Sequence, residues 1–465
     1  MTSELHWLTA AELSKRYAAE KLSPVEAVRA VLDRIDQVDP VINAFCHRDD
    51  ERAMADARAS EERWVAGKPL SDLDGVPVSI KDLILTEGWP TLSGSLTVDP
   101  AGPWDRDAPL VKRLRAAGAV LTGKTTTPEF GNSGITNSPL TGLTVNPWDT
   151  ARTPGGSSGG SVASVAAGCG PVSIGSDGGG SIRTPASFCN LVGIKATFGR
   201  VPQDHGNDFG QLSASGPVSR TVRDTAMTMN AIARYDPTDW HALPDDGCDY
   251  LAGLEDGAAG LKIAYSPDLG FAPVDAQVAA ICSGAIDIFR SLGATVEEAT
   301  PEFDDPTAWF GVLWHALAAA SVDAMPEDQR DRLGHEMLES AAKGRGLKAG
   351  EVLDADRERG RMARAMIDFH RQWDLLLTPG CAILPFPNGT DHPPDWGMET
   401  DNYEVLVGPF NATKQPAVVV PCGFSQEGLP VGLQIVGRRY EDALVLRAAR
   451  AFESANPLFD RHPAL

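Results

Sequence analysis

The chain reads as an α/β protein, and three observations predict it. Segments with helical spacing of apolar residues alternate with short runs rich in Val, Ile and Leu from one end to the other. No Pro/Gly/Ser-rich linker or charge run separates them, so one α/β unit is expected over residues 1–465 rather than a divided chain. Apolar residues make up 42% and charged residues 22% of the 465, a balance that supports a sizeable buried core.

Residues 8–64 have a helical pattern, "TAAELSKRYAAEKL", "SPVEAVRAVLDRIDQVD" and "DDERAMADARASEERWVAG", and residues 1–70 are expected to form an N-terminal helical segment. Ser23 is a natural N-cap, with Pro24 in the first turn. "GVPVSIKDLI" (75–84) predicts a strand ending near Lys81, and "DAPLVKRLRAAGAVLTGKT" predicts a helix passing into a strand across Gly118. Helices are expected over 220–234 and 275–293 with the strand "GLKIAYSP" between them, and 302–374 is mainly helical. "DLLLTPGC", "PAVVVPCGF" and "VGLQIVG" supply late strands, and "DALVLRAARAFESA" a closing helix.

With 63 acidic against 41 basic residues the net charge is −22, which repels nucleic acid and anionic membranes. The seven cysteines lack metal spacing and are expected to be reduced thiols in a cytoplasmic protein. The N-terminus lacks the basic-then-apolar pattern of a secretory signal. The apolar stretch 308–325 carries His315 and Asp323, so a buried helix is expected there rather than a membrane span.

"GAVLTGKT" (118–125) matches the phosphate-binding pattern GxxxxGK[ST], but a helix precedes Gly118 and the strand lies inside the motif. A phosphate loop needs the reverse order, so nucleotide binding is not expected. Two other glycine-rich segments carry hydroxyls: "TPGGSSGGS" supplies Ser157, Ser158 and Ser161, and "GSDGGGSIRTP" supplies Ser181. Either alone is an ordinary turn. Together they offer a nucleophile, a hydroxyl relay and bare N–H groups for an oxyanion. No histidine stands in a recognisable catalytic setting. Lys81, at the end of an apolar strand, is where burial would disfavour an ammonium and leave an amine able to act as base.

Residues 155–199, "GGSSGGSVASVAAGCGPVSIGSDGGGSIRTPASFCNLVGIKATFG", closely resemble the signature of the amidase signature enzymes, including the 24-residue spacing between Ser157 and Ser181. The resemblance extends through "GVPVSIKD", "NPWD", "GPVSRTVRDTA" and "PAVVVPCGFSQEGLPVGLQIVGRRYED", and thins between about 236 and 370. Departures are Ser176 for Thr, Gly178 at a variable position, Asn190 for Gly and Ala196 for Pro. The resemblance implies an α/β/α domain with a mixed central sheet flanked by helices. It implies a catalytic core over 75–235 and a variable helical entrance over 300–375.

It further implies Ser181 as nucleophile, Ser157 as a bridging serine after a cis peptide bond, and Lys81 as base. The N–H groups of Gly178, Gly179, Gly180 and Ser181 form the implied oxyanion hole. Ser158, Asp177 and Arg183 support these loops, and Gly131, in "PEFGNSG", corresponds to a substrate-contacting position. No metal or cofactor is called for, and homodimers are common in the family. The implied activity is hydrolysis of an amide or carbamate C–N bond through an acyl-enzyme. Phe310, Trp314 and Leu317 share a helical face flanked by Trp309, so they either line an apolar entrance for an aryl or acyl substrate or pack in the core. Two alternatives stand beside this: the glutamine-hydrolysing subunit of a tRNA-dependent amidotransferase, and an inactive scaffold that has kept the fold.

Overall fold

The computed structural model describes residues 5–204, 210–390, 393 and 403–465. Its strands, in chain order, are β1 (Phe45–His47), β2 (Pro77–Lys81), β3 (Val120–Thr125), β4 (Asn137–Ser138), β5 (Gly142–Leu143), β6 (Val172–Asp177) and β7 (Val192–Lys195). They continue with β8 (Ala214–Ser219), β9 (Lys262–Tyr265), β10 (Thr295–Glu298), β11 (Leu375–Pro379), β12 (Ala417–Phe424) and β13 (Pro430–Gly437). Eleven of them form one sheet in the order β1-β3-β2-β6-β8-β7-β12-β13-β11-β9-β10, while β4 and β5 pair apart.

The sheet is mixed, as expected. The pairs β2/β3, β2/β6, β9/β10 and β9/β11 are parallel, and the pairs from β6 through β8, β7, β12 and β13 to β11 are antiparallel. The parallel pairs need crossovers, and helices supply them. Helix Pro109–Ala116 joins β2 to β3, and Gly118 makes the turn at φ +86°, where a Cβ would fall 2.5 Å from Asp74 Oδ1. This is the helix-to-strand order expected for "GAVLTGKT", the reverse of that of a phosphate loop. Lys124 of that motif is buried and donates to Ile84 O at 2.7 Å and Thr91 Oγ1 at 2.6 Å.

Helix starts follow their caps. Thr9 and Ser23 each form a capping box with the Glu three residues on, and Pro24 opens the helix Pro24–Ile42. The expectation of helix throughout 8–64 misses one element. Asn43 takes a left-handed φ of 50°, and the Asp39 carboxylate accepts from Ala44 N and Phe45 N at 2.7 and 3.2 Å. The chain thereby leaves the helix and enters β1, antiparallel to β3.

One face of the sheet packs Val78, Ile80, Val172, Ile174, Val418, Leu433 and Ile435 against helices Ala276–Ser291 and Asp442–Ala455 in the largest apolar cluster. Helix Gly159–Ala166, buried throughout, shares a second cluster with Pro24–Ile42. Its small residues let it press close to the β3 end, where a Cβ on Gly160 would fall 2.3 Å from Thr126 Oγ1.

Between the edge strand β10 and β11 the chain makes a helical excursion, Thr307–Ala324, Glu327–Arg330, His335–Arg345 and Ala349–Phe369. Thr307–Ala324 is only partly buried, through Phe310, Ala318, Ala319 and Val322, which corrects the expectation of a buried helix. Its sides carry Trp309, Trp314 and His315, which are half-buried. No described helix is long and apolar enough to cross a membrane.

A single ion pair ties distant strands together. Arg183 donates through Nε and Nη2 to the two oxygens of Asp177, both at 2.9 Å. It also donates to Gln434 Oε1 at 2.7 Å, Val407 O at 2.8 Å and Asn411 Oδ1 at 2.5 Å. Asp177 ends β6 and Gln434 lies on β13, four strands away in the sheet, and both side chains of the pair are fully buried. Arg183→Leu is expected to leave a buried carboxylate unpaired and to lower unfolding free energy by about 3–5 kcal/mol in urea titration. Asp177→Asn combined with Arg183→Leu is expected to lose less than the two single changes added together.

Candidate active site

Lys81 is the last residue of β2 and Asp177 the last of β6, two parallel neighbours whose C-terminal ends lie side by side. Crevices at such ends are where open α/β sheets hold ligands. Along β2, Val78 and Ile80 enter the apolar cluster, whereas Ser79 and Lys81 face the serine-lined helix. Ser79 Oγ lies 3.5 Å from Ser164 Oγ, and Lys81 reaches the residues at the helix start. The alternation of a half-buried strand therefore aims the lysine at the serines.

Lys81 Nζ lies 2.7 Å from Ser157 Oγ and 3.0 Å from both Ser158 Oγ and Ser176 Oγ. The lysine is fully buried. Burial is the dominant influence and outweighs the charges of Asp177 and Glu404, bringing the amine down to about 7. A neutral amine has two N–H donors and one lone pair. Ser158 Oγ donates its own proton to Ser176 O at 3.0 Å, so toward Lys81 it acts as an acceptor. Ser157 Oγ, the nearest of the three, has no such commitment among the described residues. The Gly156–Ser157 peptide bond is cis.

Beyond β6 the chain turns through Gly178, Gly179 and Gly180 to Ser181. Gly180 has φ +137°, and a Cβ there would fall 2.3 Å from Val407 Cγ2, so only glycine fits. The turn is held from inside by Asp177, whose carboxylate accepts from Gly180 N at 2.9 Å and Ile182 N at 3.2 Å. Burial opposes ionisation of Asp177, but the charge and hydrogen bonds of Arg183 prevail and hold it at about 2. The Gly180 N–H is thus committed to Asp177, which corrects the expectation that it faces an oxyanion. The N–H groups of Gly178, Gly179 and Ser181 have no acceptor among the described residues.

A cavity of about 370 Å³ opens beside this turn, lined among others by Ser181, Gly179, Gly131, Phe310, Trp314 and Glu404. Phe310 and Trp314 stack with centroids 6.3 Å apart at 21°, and a Cβ on Gly179 would sit 3.8 Å from both rings. Trp309 and Leu317 do not line the cavity; they pack beside Phe310 and Trp314 in the apolar cluster that also holds Leu212 and Met362. Glu404, at the cavity wall, is pushed up to about 8 by burial and then by the charge of Asp177.

The structure brings Lys81, Ser157 and Ser158 into one hydrogen-bonded group, with Ser181 next to it through Ser158 N, which donates to Ser181 O at 3.1 Å. No hydrogen bond joins Ser157 Oγ to Ser181 Oγ among the described residues. Asp177 and Arg183 hold the glycine turn, and Gly131 lines the cavity, at φ +71°. Sequence reasoning misses Ser176, Glu404 and Asn132 as site residues. Ser176 stands two residues before the glycines and is visible there only as a replacement for Thr. Nothing in the sequence links Glu404 or Asn132 to the serines. Among the described residues no group of three or more His, Cys, Asp or Glu side chains is arranged to hold a metal.

The family model described as Amidase matches residues 26–446. The acylamidase of Rhodococcus erythropolis is 38% identical over 469 residues, covering 99% of this chain and 98% of the relative. A glutamyl-tRNA(Gln) amidotransferase subunit from Chloroflexus aggregans is also 38% identical, covering 100% and 99%. Among solved structures, a bacterial aryl acylamidase of the amidase signature family superposes with a TM-score of 0.91 at 29% identity, covering 98% of this chain and 97% of that one. The corresponding amidotransferase subunit of Thermotoga maritima gives 0.79 at 29% identity, covering 97% and 96%. On the match over nearly all of its length, this chain belongs to the amidase signature family, the hydrolases of amide C–N bonds.

Proposed function

We propose that this enzyme hydrolyses amides or carbamates bearing an aryl or other apolar group, through a Ser181, Ser157 and Lys81 relay and an acyl-enzyme. The observation that carries the relay is the 2.7 Å contact of a fully buried Lys81 amine with Ser157 Oγ. Neutral Lys81 takes the Ser157 proton, and Ser157 takes that of Ser181 as its Oγ forms a bond to the substrate carbonyl carbon. The oxyanion receives hydrogen bonds from the N–H groups of Gly178, Gly179 and Ser181. When the C–N bond breaks, the proton returns from Lys81 through Ser157 to the leaving nitrogen. Water then cleaves the acyl-Ser181 ester by the same relay and restores the free enzyme. Ser158 and Ser176 hold the amine in place by accepting its two N–H bonds.

The stacked pair Phe310 and Trp314 in the cavity supports the apolar substrate class. So do the acylamidase relative and the aryl acylamidase structure. The greater similarity in fold to the aryl acylamidase than to the amidotransferase subunit, 0.91 against 0.79, favours a free-standing hydrolase over one releasing ammonia for a partner.

Ser181→Ala, Ser157→Ala and Lys81→Ala are each expected to lose at least ~100-fold in kcat. A fluorophosphonate probe is expected to label the wild type and not Ser181→Ala; a probe that still labels Ser181→Ala, or full activity in that variant, overturns the relay. The lysine must be uncharged, so kcat/KM for a neutral substrate is expected to rise with pH through about 7 and then level. Lys81→Arg, which keeps its charge at every accessible pH, is expected to be inactive across the range. A panel of anilides, aryl carbamates, small charged amides and glutamine is expected to rank the aryl substrates first. Preference for glutamine would instead assign the amidotransferase-type activity.

A further inference from the structure

Asn132 and Trp314 meet at the wall of the 370 Å³ cavity, which both line. The Trp314 indole Nε1 donates to Asn132 Oδ1 at 2.8 Å. An indole N–H can only donate, so the amide atom opposite it must be the oxygen, and the side-chain amide of Asn132 has a fixed orientation. Its Nδ2 then lies on the far side of the amide carbon from the indole. Asn132 N is satisfied by Glu129 O at 3.1 Å, but the two Nδ2 hydrogens have no acceptor among the described residues. Asn132 also borders a polar recess beside Glu129 and Gly334. The Glu129 oxygens there are already engaged, by Ser95 Oγ and by Gly334 N, each at 2.7 Å.

Trp314 thus does two things. Its ring stacks on Phe310 to form the apolar wall, and its N–H fixes the amide of a residue that lines both the cavity and the recess, leaving Nδ2 as a donor there. A ligand that fills the space must either offer this donor an acceptor or strip it of water without replacement, and the second is costly. Apolar pockets discriminate weakly between isosteres, whereas a positioned donor discriminates strongly against a substrate that lacks its partner.

We infer that Asn132 is a specificity residue whose Nδ2 donates to a hydrogen-bond acceptor on the substrate, an ether or carbonyl oxygen close to the group lying along Phe310 and Trp314. Trp314 is the positioning residue that orients it. The preferred substrates are amides or carbamates that combine an aryl or apolar surface with a neutral acceptor. This rests on the reading of the cavity as the substrate site of Ser181.

The test uses two isosteric pairs, methoxyacetyl-anilide against butyryl-anilide and acetyl-4-methoxyanilide against acetyl-4-ethylanilide, and reads the kcat/KM ratio of ether to hydrocarbon. The first pair probes an acceptor on the acyl side and the second on the amine side. Within one preparation the ratio is independent of the fraction of folded enzyme. In the wild type the ratio is expected to be about 3- to 10-fold in favour of the ether in at least one pair. Asn132→Ala is expected to bring that ratio to about 1. Trp314→Phe, which keeps the ring and removes the N–H, is expected to give an intermediate ratio, and no further change in the Asn132→Ala background.

A wild-type ratio near 1 in both pairs overturns the inference, as does an Asn132→Ala ratio equal to that of the wild type. Either result, obtained while Ser181→Ala is inactive, removes the role of Asn132 and leaves the relay standing. Activity retained by Ser181→Ala removes both.

Discussion

The Asp177–Arg183 pair is the constraint on which the site depends. Taking two charges out of water is unfavourable unless each remaining donor and acceptor is met, and here they are met by groups from β13 and from the segments carrying Val407 and Asn411. The arrangement keeps Asp177 anionic. Its charge is answered by a guanidinium, and its oxygens organise the N–H groups of Gly180 and Ile182. The glycine turn is therefore shaped by an anion that no longer needs a second cation, and the lysine next to it is left to hydroxyls.

Burial alone does not mark a base. Lys81, Lys124 and Lys195 are all fully buried at strand ends, and both Lys81 and Lys195 are brought to about 7. What differs is the company. Lys124 donates to a carbonyl and a threonine and lies 3.5 Å from the Asp82 carboxylate. Lys195 donates to the carbonyls of Ala196 and Gln415, which have no proton to give. Of the three, Lys81 alone faces three serine hydroxyls, and those of Ser157 and Ser176 have no acceptor for their protons among the described residues. Acid–base capacity here follows from the partners as much as from the shifted amine.

Much of this is legible in the sequence because it is carried by local rules. The capped starts at Thr9 and Ser23, the strand ending at Lys81 and the helix-to-strand turn at Gly118 each depend on a few neighbouring residues. The glycine and serine segments are legible because their spacing matches a known signature. Partner choice is not legible. That Ser176 touches Lys81, that Gly180 gives its N–H to Asp177, and that Asn132 is turned by Trp314 depend on residues up to 182 positions apart. β1 is hidden for a similar reason, since three residues pair with β3 only after Asp39 has diverted the chain.

The helical excursion between β10 and β11 leaves the sheet at its edge and returns one strand inward from β9. It contributes the aromatic wall without supplying any of the hydroxyls or the amine. Under the proposed relay, substitutions in this excursion can change what the cavity admits without touching the groups that would cleave it.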